Sequence, residues 1–245
     1  MADPVDDSSA ETIAQRICGY DWPQAIDDLD ARGHTVFRGL LSMSECEWLA
    51  GLYERDDCFR SRVVMQRHGF GRGEYKYFGY PLVPYISQLR AALYPRLVPI
   101  ANRWNHALRL SVRYPQDLSD FLAGCHAAGQ PRPTPLLLRY GQDDYNCLHQ
   151  DVYAEHFFSL QATGLLSRPG VDFTGGEFVL TEQRPRMQSR VEVVPLEQGD
   201  AVVFAVQHRP VPGKRGFYRV SMRHGVSRVR SGNRYATGII FHDAP

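Results

Sequence analysis

Residues 136–166 read LLLRYGQDDYNCLHQDVYAEHFFSLQATGLL, an apolar strand-like run, a polar break and a second apolar run. The rhythm continues through GEFVLTE (176–182), VEVVPL (191–196), DAVVFAV (200–206), GFYRVSM (216–222) and YATGIIFH (235–242). Short β-branched and aromatic runs punctuated by glycine and proline predict an antiparallel sandwich or barrel. Several runs are apolar at nearly every position, as expected of strands covered on both faces. One sheet therefore needs an outer layer, which the N-terminal half of the chain is expected to supply as helices.

Working back from residue 133, apolar residues recur at helical spacing from Thr12 to about Gly129. Ser42 and Glu45 form a capping-box pattern ahead of Leu49, Leu52 and Tyr53, and Ile86, Leu89, Leu93 and Leu97 mark a longer helix. Pro95 and Pro99 are expected to kink or split that helix, because each removes a backbone donor. Between the helices, Arg62–Met65 and Glu74–Tyr80 look extended. Residues 1–11 are small, polar and acidic, and are expected to be a disordered tail. The reading is thus a single α+β domain over 12–245, with mainly helical support at 12–132 and a β core at 133–245.

The chain has 245 residues, 43% of them hydrophobic, enough to bury a full core. A net charge of +1 names no polyanionic partner, although the first 57 residues are acidic and residues 184–234 are rich in arginine. Five cysteines without CxxC pairing argue against a disulfide framework or structural zinc, so a cytoplasmic location is expected. No stretch approaches the roughly 20 apolar residues of a membrane span. The sequence leaves oligomeric state open.

Two segments carry chemistry. In YGQDDYNCLHQD, His149 and Asp151 stand two apart at the end of an extended run, so an imidazole and a carboxylate share one face. In HGVSRVRSGNRY, His224 opens a second run, and Arg234 follows ten residues later. Two histidines and one carboxylate occupy one face of an octahedral iron(II), leaving positions open for a 2-oxo acid and oxygen. A planar guanidinium at Arg234 suits the far carboxylate of such an acid, which a lysine would match less well. Asp143 and Asp144 compete locally with Asp151, and His156 with the two histidines. His34, His106, His126, His208 and His242 read as structural.

Residues 134–242 resemble the iron(II)/2-oxoglutarate oxygenase superfamily, whose core is a double-stranded β-helix of jelly-roll type. His224, Val226, Val229, Gly232 and Arg234 fit its pattern HxVxxVxxGxR residue for residue. LEQGDAVVFAV (196–206) looks like the strand before the distal histidine, and FTGGEFVL (173–180) like the strand between the ligand blocks. The resemblance implies His149, Asp151 and His224 as metal ligands, Arg234 and Tyr140 as cosubstrate contacts, and Fe(II), 2-oxoglutarate and O2 as the cofactor set.

More narrowly, RHGFGRGEYKYF (67–78), RPTPLLLRYGQDDYNCLHQD (132–151), TGGEFVLTEQRPRMQSR (174–190) and RHGVSRVRSGNR (223–234) resemble a bacterial family of nucleic-acid oxygenases. That implies oxidative removal of alkyl lesions from bases, with single-stranded or damaged DNA as partner. Arg62, His68, Lys76, Tyr77, Asn146 and Arg186 are the candidate substrate contacts, since basic and aromatic residues together track phosphates and stack bases. The His224–Arg234 interval is short for the repair dealkylases and resembles prolyl hydroxylases. Hydroxylation of a protein side chain or small molecule is therefore the alternative, and a non-catalytic 2-oxoglutarate-binding module a third.

Overall fold

A computed structural model describes residues 12–152 and 154–245; the acidic tail read at residues 1–11 lies outside the described residues. Five α-helices precede the β core: α1 (Ile13–Gly19), α2 (Trp22–Arg32), α3 (Met43–Gly51), α4 (Pro84–Ala107) and α5 (Leu118–Ala127). Their starts follow from capping chemistry. Thr12 and Gln15 exchange cap hydrogen bonds at α1, and Ser42 and Glu45 do so at α3. Gly33, at φ +78°, closes α2 in the left-handed conformation that glycine adopts without penalty. Among the described residues no helix is long and apolar enough to cross a membrane.

The strands form two main antiparallel sheets. From edge to edge, the larger contains His34–Phe37, Ala201–Ala205, Leu160–Leu165, Arg234–Ile239, Leu136–Tyr140, Glu74–Phe78 and Phe59–Val64. The smaller runs through Arg190–Val194, Phe178–Gln183, Gly216–Val226, Tyr145–His149 and Gly71–Arg72, with His208–Gly213 folded back on Gly216–Val226. Alternation then divides the core. Ala201, Val203 and Ala205 pack with Ile17, Leu93 and Leu97 of the helices, whereas Val202 and Phe204 join Phe178, Leu180 and Val226 between the sheets. Strand Ala201–Ala205 is buried at every position because it has a neighbour on each face. The expected jelly-roll with helices against one sheet is the architecture found.

Two expectations need correction. His34–Phe37 lies inside the region read as helical, yet it forms an edge strand of the larger sheet, paired with Ala201–Ala205. Helix α4 is not split, but runs for 24 residues through both prolines. Pro99 has no N–H to give the Pro95 carbonyl, and the Gln116 Nε2 donates to that oxygen instead, at 3.2 Å. The buried row Leu89, Leu93, Leu97, Ile100 and Trp104 keeps the helix seated across the interruption.

A buried polar cluster fastens α4 to the end of the chain. Arg90 donates to Asp243 at 2.7 Å and to the Phe241 carbonyl at 2.8 Å, while Tyr80 and His126 each reach Asp243 at 2.8 Å. Removing one partner strands a buried charge, which typically costs about 3–5 kcal/mol. Asp243→Ala is expected to lose stability on that scale in urea denaturation; a change below about 1 kcal/mol would show the cluster to be incidental.

Beside it, burial lowers the His242 pKa to about 4, and its Nδ1 accepts the Phe158 N–H at 3.3 Å, a bond only the neutral ring makes. The unfolded chain takes up this proton near pH 6.5 and the folded chain near 4, so the unfolded state binds more protons between them. Stability is expected to fall as pH drops through that window, by up to about 3 kcal/mol from this ring. His242→Phe should flatten that part of the curve.

Candidate active site

Pairing of Tyr145–His149 with Gly216–Val226 sets His149 directly opposite His224. The imidazole centroids lie 4.2 Å apart. Asp151, just past the strand, points between them: its Oδ1 is 3.3 Å from His149 Nε2, and its Oδ2 is 3.3 Å from His224 Nε2. One ligand atom from each residue falls within 4.8 Å of the others. Asp151 is 3% exposed and His224 is also buried. The competitors lie elsewhere. Asp144 accepts from the Gly141 N–H, Asp143 faces Arg228 at 3.5 Å, and His156 is not part of the cluster.

The electrostatics prepare this group for a cation. Burial opposes charge on Asp151, but hydrogen bonds and charge from both histidines hold its carboxyl well below the ordinary range. Burial also disfavours charge on His149, yet Asp151 and the Cys147 carbonyl outweigh it and leave the ring above its usual pKa. For His224, burial and the neighbouring His149 push the pKa down. His149 Nδ1 lies 2.7 Å from the Cys147 carbonyl, which can accept its N–H; Nε2, hydrogen-bonded to Asp151 here, would give up its proton to bind a cation in that place. Two Nε2 atoms and a carboxylate converge on one point, and once the rings are deprotonated there they would supply the donor set of an iron(II) facial triad.

Behind the triad lies a second, cationic pole. Arg234 faces Tyr140 across paired strands, its guanidinium 5.5 Å from the Tyr140 ring and 5.9 Å from that of Phe173. It is 2% exposed; among the described residues no carboxylate pairs with it, and its Nε has no partner. A buried guanidinium without an anion is costly, and an anion bound beside it would offset that cost. Burial raises the Tyr140 pKa to about 12, which keeps the phenol protonated as a donor to the same anion. Gly176 makes room: at φ +64°, a Cβ there would stand 3.0 Å from Arg234 Cδ and 2.9 Å from Val229.

A cavity of about 260 Å³ joins the two poles, walled by Leu138, Phe178, Phe204, Val226 and Ala236. That is near the small end of ligand sites. A short diacid fits its chemistry, with one end at the triad and the other at Arg234 and Tyr140.

The other candidates divide. Asn146 lines the cavity and donates to the Tyr140 hydroxyl at 3.4 Å. His68 stacks on Phe70 at 5.4 Å, and Phe70 lines the cavity while 47% exposed. Arg62, Lys76, Tyr77 and Arg186 do not line it. Arg62 is paired with Glu74, and Lys76 is buried between the Tyr53 carbonyl and Asp56, each at 2.7 Å. Tyr77 carries the Arg60 guanidinium on its ring, and Arg186 occupies a turn at φ +63°. A basic stretch in sequence is here spent largely on ion pairs within the fold. Gln161 and Thr163 also line the cavity and escaped the sequence reading. Their signal was present as two polar residues at period two between Leu160, Ala162 and Leu165.

With this geometry in view, comparison with known proteins is informative. A family model, Oxygenase-NA, described as an oxygenase catalysing oxidative methylation of damaged DNA, matches residues 73–244. The chain belongs to the Oxygenase-NA family. Two uncharacterized proteins of Mycobacterium tuberculosis, from strains CDC 1551 / Oshkosh and ATCC 25618 / H37Rv, are each 52% identical over 167 residues, 68% of this chain and 72% of theirs. The fold is shared with a Pseudomonas putida prolyl-4-hydroxylase (TM-score 0.55, 15% identity, 89% of this chain and 97% of that one). It is shared also with a Trichoplax adhaerens prolyl hydroxylase in complex with a hypoxia inducible factor peptide (0.60, 13%, 96% and 94%). A 2OG-Fe(II) oxygenase family oxidoreductase from Burkholderia pseudomallei is similar too (0.53, 16%, 92% and 94%). This Oxygenase-NA chain is an enzyme of the oxygenase class, and its donor set and cavity fit Fe(II) with 2-oxoglutarate and O2.

His149→Ala and Asp151→Ala are expected to abolish iron(II) binding, measured by metal content after anaerobic loading, and 2-oxoglutarate turnover with it. Arg234→Ala should retain iron but raise the KM for 2-oxoglutarate about 10- to 100-fold, the usual worth of a charged hydrogen-bond pair. Retained iron in both ligand variants would overturn the ligand assignment.

Proposed function

We propose that this chain oxidatively dealkylates nucleic-acid bases, using His149, Asp151 and His224 to hold iron(II) and Arg234 with Tyr140 to hold 2-oxoglutarate. The observation that carries the substrate class is the family match over residues 73–244, whose description names damaged DNA. The reaction direction follows from the chemistry of an oxygenase, which inserts oxygen and has no methyl group to give. Bound iron(II) and 2-oxoglutarate supply oxidation of a substrate C–H bond by O2, with succinate and carbon dioxide as coproducts. When that bond belongs to an N-methyl group, the hydroxylated carbon leaves as formaldehyde and the base is restored.

The residues of the chain divide the remaining work. The triad faces a cavity, so the target carbon must enter it. Arg234 and Tyr140, at the other pole, fix the cosubstrate by charge-assisted bonds in a water-poor setting. Exposed Phe70 stands at the cavity with His68 stacked on it and Arg67 and Arg72 flanking them in sequence, a combination suited to stacking bases and tracking phosphates. A base in duplex must be extruded at a cost of a few kcal/mol, so single strands are the easier substrate.

A second reading, hydroxylation of a protein side chain or small molecule, rests on the ten-residue interval from His224 to Arg234. Iron-loaded protein, 2-oxoglutarate and single-stranded oligonucleotides carrying N-methylated bases separate the two. Formaldehyde and succinate are expected in equal amounts, with oligonucleotide affinity that falls as salt rises. Inert oligonucleotides, with succinate release stimulated by a peptide or metabolite, would select the second reading.

A further inference from the structure

We infer that Gln161 reads the substrate: its side-chain amide pairs with the edge of the base presented to the metal centre. This rests on the nucleic-acid reading above. Gln161 is 5% exposed on strand Leu160–Leu165 and lines the cavity that holds the triad. Its Oε1 is buried without a hydrogen bond, and among the described residues its Nε2 has no partner either. A buried amide oxygen left unpaired costs stability, and one that lines a cavity can be completed by a ligand bound there. The neighbouring Thr163 is not equivalent, because its hydroxyl already donates to the Thr237 carbonyl at 2.9 Å.

Sheet register places this amide away from the cosubstrate pole. Gln161 stands opposite Phe204, whose ring lies 4.6 Å from that of His224. On the adjacent strand Ala162 pairs with Ile239, whereas Arg234 begins that strand at its other end. At about 3.3 Å per residue, Gln161 and Arg234 are separated by about 20 Å along the sheet. One end of the cavity therefore holds the anion-binding pair and the other a neutral donor–acceptor pair, with the triad's His224 packed beside Phe204 next to the latter.

A primary amide suits an edge that offers one donor and one acceptor side by side. Adenine presents that pattern at N6 and N7, which glutamine matches bidentately, whereas cytosine offers only the N4 amine on the corresponding edge. The N6/N7 edge stays free when N1 carries a methyl group. The inference therefore assigns an adenine-type lesion as the favoured substrate.

The test compares wild type with Gln161→Leu, close in size and lacking the amide, on single-stranded oligonucleotides carrying 1-methyladenine or 3-methylcytosine. Wild type is expected to favour 1-methyladenine. Gln161→Leu should lower kcat/KM for 1-methyladenine about ten-fold or more and erase that preference. The visible charge-transfer band of the anaerobic iron(II)–2-oxoglutarate complex should be unchanged. Thermal unfolding supplies an independent sign: loss of an unpaired buried amide should hold or raise the Tm while activity falls, the reverse of what a structural role produces. Unchanged turnover and preference, or a lost charge-transfer band, would overturn the assignment to substrate reading alone. Wild type inert on both oligonucleotides would overturn the nucleic-acid reading together with it.

Discussion

Everything at the site depends on the register between Tyr145–His149 and Gly216–Val226. Side chains on a strand alternate between faces, so a slip of one residue would turn His224 out of the barrel and leave Asp151 with a single imidazole. The register shifts between His224 and Val226, and Gly225 sits at the irregularity. A Cβ on Gly225 would stand 2.7 Å from the Asn146 carbonyl, so the two strands approach as closely as they do only because that side chain is missing. One glycine thus helps set the distance between two histidines that come from segments 75 residues apart in sequence.

Three polar groups without partners lie together at the candidate site. His224 Nδ1, Arg234 Nε and Gln161 Oε1 are all buried and unbonded, and all three residues line one cavity. Buried guanidiniums elsewhere differ in having a carboxylate: Arg90 has Asp243 and Arg209 has Glu182, although the Nε of each is unbonded. A guanidinium that has no carboxylate within the fold, as at Arg234, can be completed by an anion that enters the cavity.

Much of this was legible in the sequence because the decisive signals are local. Period-two and continuous apolar runs marked the strands; Ser42 and Glu45 marked the start of α3; the spacing of His149, Asp151, His224 and Arg234 marked the pocket's two poles. What escaped reading depends on tertiary context. His34–Phe37 is too short to announce a strand without the sheet edge that accepts it. The continuity of α4 through Pro95 and Pro99 relies on Gln116, a residue outside the helix. The basic stretch at Arg60–Tyr77 looked like a nucleic-acid surface, but Arg62 and Lys76 find their carboxylates in Glu74 and Asp56. Charge pattern alone cannot distinguish a cation awaiting a phosphate from one already paired.

The two poles of the cavity belong to different sheets. His149 and His224 come from the smaller sheet, with Asp151 just beyond it, while Arg234 and Tyr140 come from the larger. A molecule gripped at both ends therefore acts as a cross-tie between the halves of the sandwich, and its fit is set by the gap between two hydrophobic layers. Core substitutions outside the cavity lining, at Val194 or Val202 for example, would alter that gap, so cosubstrate affinity becomes a gauge of how tightly the sandwich is shut.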